Sequence, residues 1–180
     1  MDLALQQQLV ELAERDQRVL EELFQAGELP STDYHPRMRQ IHEENAATLR
    51  RVIAQYGWPG RHLVGAEGTK AAWLVAQHAV SDLLFMKECL VLLKEAVASG
   101  SVEGWQLAFL QDRVLTMSGE MQYYGTQFDL DPEGWPVPMP IADPETVDRR
   151  RADLGLNTLA ERVQQMRERE RLRRQKAENG

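Results

Sequence analysis

One cysteine in 180 residues excludes an internal disulfide. That residue, Cys89, sits inside the apolar run Cys89–Leu93, where a buried, inert thiol is a better reading than a nucleophile. Apolar runs such as Trp73–Ala76 and Cys89–Leu93 fall far short of the ~20 residues that a membrane-spanning helix requires. Residues Met1–Gln6 contain no basic region and no signal-type apolar stretch, which sets the expectation of a cytoplasmic protein. Gly-x-Ser-x-Gly, the phosphate-cradling P-loop and the Rossmann fingerprint are all missing. So are the Glu-x-x-His pairs of di-iron bundles. Neither a metal nor a cofactor is therefore expected. Asp16, His78 and Asp112 are the only scattered groups that could be imagined around one ion.

Positive charge is also scarce outside one segment. The formal charge is −7, yet the last twenty residues hold 7 basic and 4 acidic groups against 14 and 24 in the rest. An acidic body repels nucleic acid, whose binding rests on neutralising phosphates. The basic segment mixes both signs at helical spacing, as in Glu170 with Arg174, and reads as a solvated helix. Neither a nucleic acid nor a membrane is an expected partner.

What is present suffices for a single core. Hydrophobic residues make up 43% and charged residues 27%, ordinary for a globular domain of this length. Apolar positions at helical period place helices over about 2–25, 36–56, 66–79, 82–99 and 102–117, with the third and fourth possibly continuous. Gly57-Trp58-Pro59-Gly60 and Gly65 punctuate the chain before the third. Gln122–Phe128 lacks helical period and favours extended backbone, and Asp131-Pro-Glu-Gly134 is turn-prone. Asp143-Pro144 opens a short helix, and a terminal helix follows from Thr158. The expectation is a mainly α, single-domain, bundle-like fold of about six or seven helices with a short extended or hairpin insertion near Tyr123–Val137. Residues 1–160 would form the domain and 161–180 a charged helical or frayed tail.

Three helical seams turn polar where they should be apolar. Asp16 falls between Leu12 and Val19, Asn45 interrupts Met38, Ile41, Leu49 and Val52, and Ala71, Leu74 and Val75 run into Gln77-His78. An unpartnered buried polar group costs about 1–3 kcal/mol, so polar residues sharing a core share a reason. His78 is the candidate for proton transfer, with Asp16 or Asp112 orienting it. His35, His42 and His62 read as surface residues at helix starts or in loops. Arg113 offers a rigid fork for an anionic group or, equally, an internal salt bridge. Gln122, Tyr124, Thr126 and Gln127 surround Gly125 with donors and acceptors that could wrap a ligand or pin an irregular segment. Of Arg149-Arg150-Arg151, a structural role, with Arg149 or Arg150 reaching back to the bundle carboxylates, is favoured over an anion site.

Gly57-Trp58-Pro59, Val64-Gly65, Ala72-Trp73, Gln77-His78-Ala79, Asp112-Arg113, Gln122, Tyr124-Gly125-Thr126-Gln127, Pro140-Ile141, Arg149-Arg150 and Gly155-Leu156 form a set. Together they resemble the signature of a bacterial family of small proteins filed as a domain of unknown function, as does Asp16-Gln17. The resemblance extends to about Leu159, and the charged segment after Ala160 reads as an extension of this chain. His62 departs from the small polar residue expected there and is not counted among the site residues. The resemblance implies a mostly helical domain with a polar signature on every helix, and no established reaction.

Two functional readings remain open on the sequence. One is a small-molecule pocket among the first, second, third and fifth helices, lidded by Tyr124–Gln127, in a cofactor-independent lyase, isomerase or hydrolase. There His78, Asp16 and Asp112 would be catalytic. Arg113, Asn45, Gln77, Gln122, Tyr124, Thr126 and Gln127 would hold an anionic small molecule. The other is a non-catalytic binding or interaction protein whose polar core fixes helix register.

Overall fold

The computed structural model describes residues 1–31 and 33–178, with the backbone alone for Ala177 and Glu178. Thr32, in the turn expected at Ser31–Asp33, and the last two residues of the expected tail lie outside the described residues. The fold is mainly α: seven helices and one two-stranded sheet among the described residues. The chain groups into two compact units, Met1–Gln106 and Leu107–Gly180.

The first unit holds α1 (Leu3–Gln25), α2 (Pro36–Tyr56), α3 (Arg61–His78) and α4 (Leu83–Ala98). Asp2 caps α1 by accepting from the Leu5 N–H, and Pro36 opens α2, where a missing N–H is harmless. α1, α2 and α3 pack on one another, and α4 packs on α3. Val19, Leu23, Met38 and Ile41 bury a patch between α1 and α2, joined by the half-buried Tyr34. Beneath α4 lie Phe85, Met86, Cys89 and Leu93, all essentially inaccessible.

α3 begins five residues earlier than its sequence pattern suggests. Arg61–Val64 already form a turn, and the helix is broken at Gly65, whose φ of +67° only glycine adopts readily. A Cβ on Gly65 would lie 2.9 Å from Gln6 Nε2, so the break also lets α1 approach closely. α3 and α4 are separate helices. The Asp82 carboxylate caps α4 by accepting from the Phe85 N–H.

α5 (Gly104–Met117) carries the chain into the second unit. There β1 (Phe128–Leu130) pairs antiparallel with β2 (Pro136–Pro138), with Phe128 opposite Pro138 and Leu130 opposite Pro136. The turn between them is tied by Asp131 Oδ1, which accepts from the N–H groups of Glu133 and Trp135. A 3-10 turn (Pro144–Thr146), α6 (Val147–Asp153) and α7 (Leu159–Glu178) complete the unit. α7 packs against β2. Its Arg174 donates to the carbonyls of Glu133 and Gly134 and lies 4.1 Å from the centre of the Trp135 ring. The charged terminal segment is thus built into its unit through the hairpin.

Candidate functional site

Three helices of the first unit bring their polar interruptions together. Asp16 projects from the fourth turn of α1, His42 from the second turn of α2, and His78 is the last residue of α3. Asp16 is 1% exposed. Its Oδ2 lies 2.6 Å from His78 Nδ1 and 3.2 Å from His42 Nε2. The two imidazole rings are centred 5.0 Å apart. On its far side, His42 Nδ1 lies 2.5 Å from the Tyr34 hydroxyl. Asn45, one turn beyond His42 and also buried, donates from Nδ2 to the Leu12 carbonyl of α1.

The electrostatics of this cluster run against ordinary burial. Removal from water would raise the Asp16 pKa, but the His42 and His78 imidazoles beside it outweigh that and hold the carboxyl well below the usual range. Asp16 is therefore an anion. In the neutral form of the ring, with Nδ1–H donating to Asp16, His78 keeps its Nε2 lone pair. Its side chain is 23% exposed, enough for contact with solvent or a small molecule. Burial raises the pKa of Tyr34, which stays a neutral phenol beside His42.

Two atoms of the cluster have no hydrogen-bond partner among the described residues. Asp16 Oδ1 is buried without a hydrogen-bond partner. His42 Nε2, although 3.2 Å from Asp16 Oδ2, is off the line of a hydrogen bond and likewise unsatisfied. A cleft of about 230 Å³ shares His42 as a wall and is otherwise lined by Glu43, Ala46, Arg50, Ala79 and Ser81, among others.

His42 therefore corrects the sequence reading. It is buried, not a surface residue, because it shares with Ile41 the face of α2 that the seam Met38, Ile41, Asn45, Leu49 turns inward. That spacing, three before Asn45 and four after Met38, was the signal available in the sequence. Tyr34 lies ahead of α2 and had no periodic signal. His35 and His62 do sit at the surface side of their elements: His35 Nδ1 accepts from the Arg37 N–H and its Nε2 lies 3.0 Å from Glu28, and His62 is exposed.

The remaining candidates divide between the units. Asn45 and Gln77 belong to the first, Gln77 being buried beside His78 at the end of α3. Asp112, Arg113, Gln122, Tyr124, Thr126 and Gln127 belong to the second, where they knit an irregular segment. Asp112 is fully buried on α5. Its Oδ1 accepts from the N–H groups of Tyr123 and Tyr124 at 2.7 and 2.9 Å. Its Oδ2 accepts from the N–H and hydroxyl of Thr126 at 2.9 and 3.0 Å. Burial raises the Asp112 pKa, and these donors pull it back. The Gln122 side chain acts as a piece of strand. Its Nε2 donates to the carbonyls of Gln127 and Met139, while its Oε1 accepts from the Gln127 N–H. Arg113 Nε donates to Gln127 Oε1, and burial lowers the Arg113 pKa.

Arg150 and Arg151 close the same segment, and Arg150 reaches backbone carbonyls in place of the carboxylates expected of Arg149 or Arg150. Arg151, 1% exposed, donates to Tyr124 O at 2.6 Å, Asn157 O at 2.6 Å and Asn157 Oδ1 at 3.0 Å. Arg150 donates to the carbonyls of Tyr123 and Ala142 and to the Thr146 hydroxyl, with its guanidinium 4.2 Å from the centre of the Tyr123 ring. A chain running irregularly beneath helices must satisfy its own carbonyls, and guanidinium forks do that here.

A mainly α chain with a buried carboxylate–imidazole cluster and a latched extended segment is the class these features define. A family model matches residues 3–174, and the chain belongs to that family of unknown function (DUF6624). The match runs well into α7, so most of the charged terminal helix is part of the family domain and not an extension particular to this chain. No curated protein and no solved structure shows significant similarity to it. No helix among the described residues is long and apolar enough to cross a membrane.

Proposed function

We propose that the first unit is the reaction centre of a small-molecule enzyme working by proton transfer, of the lyase, isomerase or hydrolase kind. The observation that carries this reading is the 2.6 Å contact between Asp16 Oδ2 and His78 Nδ1. A buried anion that accepts a hydrogen bond from Nδ1–H fixes the tautomer and the ring orientation, leaving Nε2 to accept a proton from a bound molecule. As that proton arrives, the imidazolium forms beside an existing negative charge. The Asp16 anion thus stabilises the product of the transfer. Asn45 positions the face of α2 by its bond to the Leu12 carbonyl, close to the turn that carries Asp16.

The second unit supports the other reading of its residues, as architecture. Asp112, Gln122, Thr126 and Arg151 are all hydrogen-bonded within their own unit. Asp112 has two donors on each oxygen and offers no obvious lone pair for a substrate proton.

A thermal-shift screen of small carboxylates, phosphates and polar metabolites on the wild type and His78→Gln tests the proposal. A compound at 100 times its dissociation constant adds about 2.7 kcal/mol to the native state. The expected result is a folded variant that no longer responds to, or turns over, the compound stabilising the wild type. A His78→Gln protein that melts far below the wild type, with no compound stabilising either, overturns it.

A further inference from the structure

The Asp16–His42–His78 cluster is assembled in a way that two hydrogen bonds do not explain. His42 Nε2 stands 3.2 Å from the carboxylate yet is not aimed at it, and Asp16 Oδ1 is buried with no donor. An imidazole nitrogen held near a carboxylate but pointed past it directs its lone pair at a third point. The ligating atoms of Asp16, His42 and His78 all lie within 4.8 Å of one another. Ligands on a common tetrahedral cation, at bonds of about 2.0–2.2 Å, are separated by roughly 3.3–3.6 Å, so the 2.6 Å contact of Asp16 with His78 opens and the wider pair draws in as the side chains settle on one ion.

We infer that Asp16, His42 and His78 bind one divalent transition-metal cation of the zinc class, with a further coordination position left for water or substrate. Two imidazoles and one carboxylate are the borderline-soft nitrogen and oxygen donors that suit such a cation and not magnesium or calcium. The surroundings are those of a ligating histidine: His42 can coordinate through Nε2 while its Nδ1–H donates to the Tyr34 oxygen at 2.5 Å, which fixes the ring. The ligands come from three different helices packed on one another, so the site is rigid before any ion arrives. Three protein ligands are the complement of catalytic rather than structural sites. Of the three ligands, His42 forms part of the wall of a cleft of about 230 Å³. The inference concerns the proposed reaction centre and rests on reading it as such. With the cation in place, its bound water, made acidic by the charge, becomes the proton-moving group. His78 then becomes a ligand that Asp16 no longer needs to orient.

The experiment uses the full chain, stripped with a chelator and exchanged into metal-free buffer. Titration with Zn²⁺ by calorimetry, and with Co²⁺ by visible absorption, is expected to give one cation per chain. Cobalt should show the intense d–d bands of a four- or five-coordinate site. His42→Gln and Asp16→Asn, checked for fold by circular dichroism, should each weaken binding at least 100-fold. Tyr34→Phe, which removes only the partner of a ligand, should weaken it roughly 10- to 100-fold. Absence of stoichiometric binding to the folded wild type overturns the inference, as does binding that survives His42→Gln. Should the variants unfold, Tyr34→Phe and the cobalt spectrum of the wild type still decide: octahedral, weak bands and an unchanged affinity refute the site. The two failures are separable. A protein that binds no cation, yet loses its response to a screened compound in His78→Gln, overturns only the cation. One that binds the cation, while neither protein responds to any compound, overturns only the proton-transfer reading.

Discussion

Asp112→Asn isolates the latch of the second unit with a change of one heavy atom. In the wild type one carboxylate accepts from three backbone N–H groups and one hydroxyl in a fully buried position. Asparagine can keep an oxygen toward Tyr123 and Tyr124, but its NH2 then faces the Thr126 N–H, donor against donor. The Thr126 hydroxyl can rotate to accept from the new amide; the Thr126 N–H cannot. One buried donor left without an acceptor costs about 1–3 kcal/mol, and the remaining bonds lose their charge-assisted excess. Burial already penalises the carboxylate, so part of this is returned when the charge is removed. The expected net loss is about 2–4 kcal/mol, a large share of the roughly 5–15 kcal/mol of a folded domain. Denaturant unfolding followed by circular dichroism measures it, and amide hydrogen exchange at Tyr124 and Thr126 localises it. A loss below about 1 kcal/mol with unchanged protection at both amides would refute the assignment of Asp112 to architecture.

Gly125→Ala should destabilise the same segment by about 1–3 kcal/mol, because φ is +69° and the new Cβ would lie 2.7 Å from Leu159 Cδ1; a thermal melt equal to the wild type would contradict the close packing around that loop. Burial pushes the Cys89 thiol up to about 12, so in native protein it should resist a thiol-specific disulfide reagent at pH 8 and react only on unfolding. The sign of the linkage follows: above about pH 8.5 the unfolded state ionises and the native state does not, so Cys89→Ala should flatten the alkaline loss of stability. Rapid native-state labelling would contradict the buried position.

How much of this was legible in the residues depends on which kind of interaction set each feature. α2 begins at Pro36 and ends at Tyr56 as its proline and the Gly57-Trp58-Pro59 stop signal dictate. The capping carboxylates Asp2 and Asp82 stand at the first positions of the expected helices 2–25 and 82–99, a match that rests on local chemistry. The start of α3 was not, since Gly65 looks like a terminator in sequence, and only the nearby Gln6 of α1 makes a broken helix worthwhile there. Polar residues on inward faces offered two carboxylates, Asp16 and Asp112, to orient His78, and Asp16 is the one in contact with it. His42 escaped because its neighbour Ile41 already accounted for the buried position on that turn. Arg151 escaped for a different reason: its partners are backbone carbonyls, which carry no side-chain signature.

The reactivity proposed for the cluster turns on a single proton, the one between Asp16 and His78. Long-range ¹H–¹⁵N correlation spectra of the imidazole rings, recorded at neutral pH on chelator-treated protein, locate it directly. The expected spectrum has His78 with a protonated Nδ1 and an unprotonated, pyridine-type Nε2. A His78 ring protonated at Nε2 alone would contradict the claim that Asp16 holds it as a base.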